Sequence, residues 1–376
     1  MSGPALLDLD QLRRCDRSDP ASAFIEAFAA NGSRTYISNL TTQVLALQLD
    51  GAVVPLTVND AQYGEAFTCL PHSAYALYSK AELGMVDTGA ARPFLAAAAN
   101  GTGAFLRAAR INRVVNINNW MMSTNLHARW SHASMPEIRS CLVGRFPDHF
   151  MAVRSLTDWT DSVLIRKMQA DGWRLIPSRQ IYVMEDPDAE WSAHSNRRKD
   201  LRRIELLDDE IVDLEMLGAG DAERISALYQ DLYIRKYTSL NPALTPDFIR
   251  MTHEAGVMRY RGARDGRGSL SAIVGAFDDG RVLTPPVIAY DQSRPRSEGL
   301  YRTAMALAVL MACQSGMKLN WSAGAGKFKA NRGGRPIMEY TAFYDRHLSR
   351  PRRLALAALD KAVRSFVAPF VQSKGF

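Results

Sequence analysis

Three apolar runs parted by two Asp-Gly pairs constrain the fold of this chain more than any other feature. Asp265-Gly266 and Asp279-Gly280 are hairpin turn signals, and the runs around them, residues 257–263, 270–277 and 281–290, carry strand-forming residues. Strands joined by turns this short lie antiparallel. Ahead of them, residues 221–237 place Ile225, Leu228, Leu232 and Tyr233 on one helical face, and Thr245 starts a second helix with Pro246 at its first position. Behind them comes an apolar helix over Leu300–Ser315, stopped by Gly316. A strand at 318–322, a glycine-rich turn, a short helix near 327–331 and strand-like pieces across 337–344 complete the series. The order α-α-β-β-β-α-β-α-β predicts a mixed α/β (α+β) domain, a mixed sheet flanked by helices.

The first half has a related rhythm without a strict repeat. Residues 35–51 and 52–60 read as strands joined at Asp50-Gly51. The Ala-rich stretch 91–109 is expected to break into two short helices at Gly101 and Gly103. Further strands are expected at 113–122, 148–155 and 174–186, with helices at 135–145 and 159–171, the latter stopped by Gly172. A charged helix with Ser195 as N-cap runs to Glu210, and its mixed acids and bases suit a solvated, domain-bridging role. Residues 217–222 form a joint, with Asp221 the expected N-cap of the next helix. The expected organisation is an N-terminal segment (1–34), a degenerate domain (35–190), a linker helix (191–218), a principal domain (219–348) and a basic C-terminal helix (349–376).

A length of 376 residues calls for more than one core, and 47% apolar with 23% charged residues is a globular balance. The longest apolar run, within 303–313, is about half of a bilayer span, so no integral membrane contact is expected. Acids stand near the N-terminus where a secretory signal would be basic and then apolar, which predicts a cytoplasmic protein. Cys15, Cys69, Cys141 and Cys313 are scattered, and neither a metal site nor a disulfide is expected. His127 and His132 could share a surface, with a structural or solvent role expected for both. Residues 216–376 hold 24 Lys/Arg against 13 Asp/Glu, an excess of +11 that favours an anionic partner.

Several short motifs sit at matching places in this order. Leu232-Tyr233, Lys236-Tyr237, Asn241-Pro242, Thr245 and Phe248 mark the entry helices; Ile288-Ala289-Tyr290-Asp291 ends the central strand; Gly299-Leu300-Tyr301 opens the next helix. Asn320 to Gly326 form the following strand and turn, and Phe328-Lys329 with Gly333 follow. Together they resemble the Fem-like, double-GNAT branch of the GNAT-type N-acyltransferases. The resemblance covers about 113–348 and is clearest over 228–344, with Phe150 to Leu156 and Arg179 to Tyr182 similar to the tail of a second, degenerate copy. It implies tandem GNAT-like domains, and the residues after Leu348 read as an extra C-terminal helix. It also implies transfer of an acyl or aminoacyl group from a thioester or an aminoacyl-tRNA to an amine.

The helix beginning near Gly299 offers free N–H groups to an anion, with Arg294, Arg296 and Arg302 beside it. Arg296-Ser297-Glu298-Gly299-Leu300-Tyr301 keeps the arginine and first glycine of the GNAT loop, but sets Tyr301 where a small residue belongs. Ser322 begins a glycine-rich stretch in which Lys327, Lys329, Arg332 and Arg335 bring four cations together, a candidate phosphate or carboxylate contact. No Ser-His-Asp or Cys-His constellation stands out, so direct transfer is expected. Asp291 or Glu339 is the candidate proton acceptor, and Tyr340 or Tyr344 the donor. Cofactor contacts are expected from Arg294, Arg296, Gly299, Tyr301, Ser322, Lys327 and Lys329.

The reading is an N-acyltransferase with no tightly bound cofactor and a small-molecule amine as acceptor. Its co-substrate is an acyl-CoA or the thioester of an acyl carrier protein. An aminoacyl-tRNA-dependent transferase and a non-catalytic binding protein of the same fold remain the alternatives. The C-terminal helix sets Leu356, Leu359, Val363 and Phe366 in an apolar stripe opposite Arg353, Lys361 and Arg364, which suits packing on its own domain, a membrane surface or RNA.

Overall fold

The computed structural model describes residues 3–15, 18–78, 80–81 and 101–367. They form two compact units. One holds the chain up to Ser178, residues Thr238–Ala243 and the chain from Glu339; the other holds Arg179–Tyr237 and Leu244–Met338. The detour at 238–243 has a local cause. Asn39 Nδ2 donates to the carbonyls of Ser239 and Asn241, both at 2.8 Å, and Ala243 N–H donates to Asn39 Oδ1 at 2.8 Å.

The first unit contains strands β1 (Ala5–Leu7), β2 (Gln43–Leu49), β3 (Ala52–Asn59), β4 (Val114–Ile117) and β5 (Phe150–Leu156). β6 (Arg174–Met184) begins there and passes to the second unit. That unit adds β7 (Glu210–Leu214), β8 (Arg259–Arg264), β9 (Leu270–Asp278), β10 (Val282–Tyr290) and β11 (Lys318–Asn320). β12 (Arg335–Tyr344) starts in the second unit and ends in the first.

Both units are mixed α/β, a mixed sheet with helices on it, and both use one scheme. In the first, β1 to β4 pair antiparallel in sequence, β4 and β5 run parallel, and β5 is antiparallel to β12. In the second, β7 to β10 pair antiparallel in sequence, β10 and β11 run parallel, and β11 is antiparallel to β6. A helix crosses between each parallel pair, Met135–Arg145 in one and Leu300–Ser315 in the other. The closing strand of each unit is thus supplied by chain that begins in the other.

The helix Leu300–Ser315 forms at its expected bounds. It begins at Gly299 (φ 71°) and ends at Gly316 (φ 62°), both left-handed positions suited to glycine, and buries Ala304, Leu307, Ala308 and Val309 against β9 and β10. Thr245 caps the helix Pro246–Glu254 by accepting from Phe248 N–H. Other expectations need correcting. The stretch 221–237 is α-helical only over Asp221–Gln230 and continues as a π-helix over Asp231–Tyr237. Its N-cap is Gly220, and Asp221 is the first helical residue. The charged helix ends at Glu205, and residues 210–214 leave it to form the edge strand β7. Residues 101–108 are helical straight through Gly101 and Gly103, while 91–100 lie outside the described residues. The strand expected over 113–122 stops at Ile117, and 337–344 is one strand with a bulge.

The described part of the C-terminal helix packs within the first unit, not on the domain that precedes it in the chain. Arg350–Ala362 lays Leu356 and Leu359, with Val363 just beyond, onto Phe150, Ile176 and Phe343. Arg352 donates to the carbonyls of Ala109, Arg110 and Asp148, and its guanidinium lies 4.5 Å over Phe150. No helix among the described residues is long and apolar enough to cross a membrane.

Candidate active site

In the second unit the parallel ladder of β10 and β11 is only two pairs long, Val282 with Lys318 and Leu283 with Leu319. β10 continues to Tyr290, while the chain after β11 leans towards β6: Trp321 N–H donates to Tyr182 O at 2.8 Å and Tyr182 N–H to Ser322 O at 3.1 Å. The two strands therefore part. Asp291 N–H donates to Ser271 on the β9 side. Alternation along a strand then turns the N–H and C=O groups of Ile288 and Tyr290 to the open side. An unpaired edge of this kind can hold the amide or ester groups of an extended ligand.

Lys329 holds the turn on its side of the parting. Its ammonium, buried in the fold, donates to the carbonyls of Trp321, Ser322 and Ala323 at 2.6, 3.1 and 2.8 Å. Burial, and then Arg179, pushes its pKa down to about 7. The clasp retains a turn with left-handed backbone at Ser322 (φ 59°), Gly324 and Ala325 (φ 52°). Arg332 is spent in the same way, donating to both oxygens of buried Asp200 at 2.6 and 2.9 Å. Of the four cations in the 322–335 stretch, Lys327 and Arg335 are exposed, and Lys329 and Arg332 are structural clasps.

Aromatic rings line the parting. Tyr290 at the end of β10 lies 5.7 Å from Tyr301, Tyr301 lies 5.3 Å from Phe328, and Phe328 lies 6.4 Å from Trp321. Tyr290, Tyr301 and Phe328 are half-buried, leaving part of each ring exposed. Burial raises the Tyr301 phenol well above its ordinary value, and Tyr237 and Tyr290 add to this. A bulky ring therefore occupies the position where the resembling family keeps a small residue.

The other expected residues divide by unit. Asp291, in the second, pairs with Arg224 at 2.7 Å and accepts from the Ser293 hydroxyl and N–H. Burial opposes these contacts, but the contacts outweigh it and hold the carboxyl below the usual range, which makes a weak base. Arg294 is shared between Asp209 at 2.6 Å and Glu298 at 2.5 Å. Arg296 is exposed. Gly299 is covered by Arg203: a Cβ there would meet its Cδ at 3.1 Å, and Arg203 also donates to Ser297 O at 2.8 Å. Glu339, Tyr340 and Tyr344 belong to the first unit. Glu339 is buried and accepts from Ser178 Oγ at 3.2 Å, and Tyr344 is a core ring stacked on His347. Burial, and then Asp158, raises the phenol of half-buried Tyr340.

The corresponding place in the first unit is filled from within. Beyond the three-pair β4–β5 ladder, Arg154 of β5 donates to Thr68 O, Asn119 Oδ1 and Met122 O at 2.9, 3.1 and 3.4 Å. Asn119 in turn reaches Thr57, Thr68 and Cys69. His127 belongs to this plug. Its Nδ1 accepts from Asn118 and Trp130, which leaves Nε2 to donate to Arg154 O at 2.7 Å. A cavity of about 20 Å³ beside Cys69, Tyr75 and Arg154 is room for one water. A wider cleft of about 570 Å³ lies in the second unit, lined by Glu215, Gly218, Arg250 and His253 among others. It shares no residue with the parting, and Arg250 there is paired with Glu223 and Asp247. No group of three or more His, Cys, Asp or Glu among the described residues could hold a metal ion.

Asp200 has no place among the residues that the sequence points to, and Tyr290 stands there only within the motif that ends the central strand. A signal for Asp200 existed: Ile204 and Leu207, four and seven residues on, pack inward, which sets Asp200 on the buried face of its helix.

No protein-family model and no curated protein matches the chain. Among solved structures, a conserved protein of unknown function from Bacteroides thetaiotaomicron is 10% identical, with 92% of this chain and 100% of that one covered at a TM-score of 0.50. FemX is 8% identical, with 91% and 97% covered and a TM-score of 0.43. The C-terminal domain of a putative lysylphosphatidylglycerol synthetase from Agrobacterium fabrum is 13% identical, with 66% and 81% covered and a TM-score of 0.44. At such identities the likeness to the Bacteroides protein concerns the fold alone.

Proposed function

We propose that this chain is an N-acyltransferase that moves an acyl or aminoacyl group from an activated donor to an amine, using the second unit. The observation that carries the reading is the parting of β10 and β11, with the helix Leu300–Ser315 starting beside its rim. Its setting, three antiparallel strands and then a parallel pair joined by that helix, is the order the GNAT-type resemblance implies. The donor's extended arm would lie along the free edge at Ile288 and Tyr290, where a backbone N–H can take up charge growing on the acyl carbonyl oxygen. Attack by a neutral amine then forms the C–N bond and expels the thiolate or the ribose oxygen. The amine proton leaves for water or for the departing group. Holding both reactants in line supplies much of the rate, and the chain needs no covalent intermediate.

A donor without a diphosphate is the second reading. It is favoured by Arg203 lying over Gly299 and by Glu298 and Arg294 neutralising one another beside it. An aminoacyl-tRNA is such a donor, and the +11 balance of residues 216–376 suits it. The test is incubation of the whole chain with acyl-CoAs, acyl-loaded carrier protein and aminoacyl-tRNA against a panel of amines, with amide products read by mass spectrometry. Amide formation from one donor class supports transfer and selects the donor. Absence of product from every donor overturns the transferase reading in favour of a binding protein.

A further inference from the structure

The helix Asn196–Glu205 has a charged sequence that suits a solvated linker, yet the carboxylate at its centre is among the most buried groups of the second unit. Asp200 has no exposed surface. One oxygen accepts from Arg332 Nε at 2.6 Å and the other from Arg332 Nη2 at 2.9 Å. The latter oxygen also lies 3.5 Å from Arg302 Nε. These two arginines come from the two elements that carry the rings of the candidate site. Arg302 follows Tyr301 on the helix Leu300–Ser315, and Arg332 follows the helix Gly326–Ala330, its guanidinium 3.5 Å over the ring of Phe328. Arg332 also donates to Phe328 O at 3.0 Å. The two rings, Tyr301 beside Arg302 in sequence and Phe328 under Arg332, are in contact at 5.3 Å.

We infer that Asp200 is a positioning residue of the donor site, a staple that fixes the spacing between Tyr301 and Phe328 and so sets the width of the opening. The physical reason lies in the geometry of the pairs. A carboxylate gripped by a two-point guanidinium contact has little freedom, and Arg332 passes that restraint to Phe328 through its place over the ring and its bond to the Phe328 carbonyl. The contact to Arg302 extends it to the turn of helix that carries Tyr301. Among the described residues no hydrogen bond fixes the Tyr301 hydroxyl instead. The charged helix is thereby part of the wall of the site. The inference rests on the transferase reading of that opening.

The test separates positioning from stability. Asp200→Leu combined with Arg332→Met exchanges the buried ion pair for apolar groups of similar size, a change that preserves folding in other buried pairs. A second variant, Arg302→Gln, removes only the half-buried outer partner. Two readouts are taken: the 19F resonance of Tyr301 in fluorotyrosine-labelled protein, assigned through Tyr301→Phe, and KM against kcat for whichever donor the parent protein turns over. The expected result for the double variant is a thermal midpoint near the parent's, a displaced Tyr301 resonance and a donor KM raised about 10- to 100-fold. Arg302→Gln should move both readouts the same way by less. If either folded variant leaves the resonance and the KM at parental values, Asp200 only anchors its helix and the inference falls. If the parent turns over no donor, the transferase reading falls by itself, and the Tyr301 resonance alone decides whether Asp200 places the ring.

Discussion

Lys329 shows how much one side chain does in this fold. Three carbonyls match the three N–H bonds of an ammonium, while burial pushes the same group down to about 7. The two effects oppose each other, and pH distinguishes them. An unfolded lysine keeps its proton well above pH 7, so with a depressed native pKa the unfolded state binds more protons there, and stability rises with pH. The difference in thermal midpoint between the parent protein and Lys329→Met should therefore change between pH 7 and 9. A flat difference would mean that the three carbonyls keep the ammonium charged. Lys329→Met should itself cost about 3 kcal/mol, because it strips buried carbonyls of their donor. Gly333 gives a second residue-scale expectation. Its φ is 95°, and a Cβ would meet Glu190 O at 2.9 Å and Glu190 C at 3.0 Å. Gly333→Ala should destabilise by more than about 1 kcal/mol in chemical denaturation, while an alanine at the open, left-handed Gly324 meets no neighbour and carries only the backbone strain. The cluster of glycines and cations around Lys329 was visible in the sequence. That two of its four cations are spent inside the fold was not, because their partners, Asp200 and the carbonyls of 321–323, are set by tertiary packing.

At the scale of elements, the pattern of apolar and turn residues determines most of what forms, and the exceptions have a shared cause. The helix Leu300–Ser315 is apolar from Ala304 to Cys313 and bounded by glycines, so both its length and its burial follow from local signals. β7, Glu210–Leu214, carries no strand signal of its own, because it is an edge strand with exposed acids that follows a charged helix. The π-helix at 231–237 has the same apolar spacing as plain helix, and spacing alone cannot separate the two. Tyr301 sits in the first turn of the Leu300–Ser315 helix, and its ring fills space between Tyr290 and Phe328. Tyr301→Ala should therefore widen the opening. For the donor class found active, the ratio of kcat/KM for a bulky over a small acyl group should rise about tenfold, the scale at which a pocket discriminates by one or two methylenes. A uniform fall for all acyl groups would instead mean that the ring is a contact every donor needs.

At the scale of the whole molecule, two units with one strand scheme each take their closing strand from chain that starts in the other. A sequence without internal repeats gives little sign of such an exchange, since pairing of β5 with β12 joins residues far apart in the chain. The division has a consequence that runs against chain order. The described residues from Glu339 onward belong to the first unit, not to the domain that precedes them. They supply β12 up to Tyr344 and the helix Arg350–Ala362, and with them buried Phe343, Leu348, Leu356, Leu359 and Val363. Each such side chain contributes about 1.5–3 kcal/mol by burial, so five of them approach the whole stability of an ordinary domain. A chain ending after Met338 should consequently lose the first unit. Hydrogen exchange should show protection collapsing in β2, β3, β4 and β5, at the opposite end of the sequence from the cut, while β8, β9, β10 and the helix Leu300–Ser315 stay slow. The second unit keeps its own core in that chain, because β7 to β11, the β6 residues that pair with β11 and the Asp200–Arg332 pair all precede the cut. Retained protection in β4 and β5 would show that the first unit closes without β12, and that the exchange of strands is not needed for its fold.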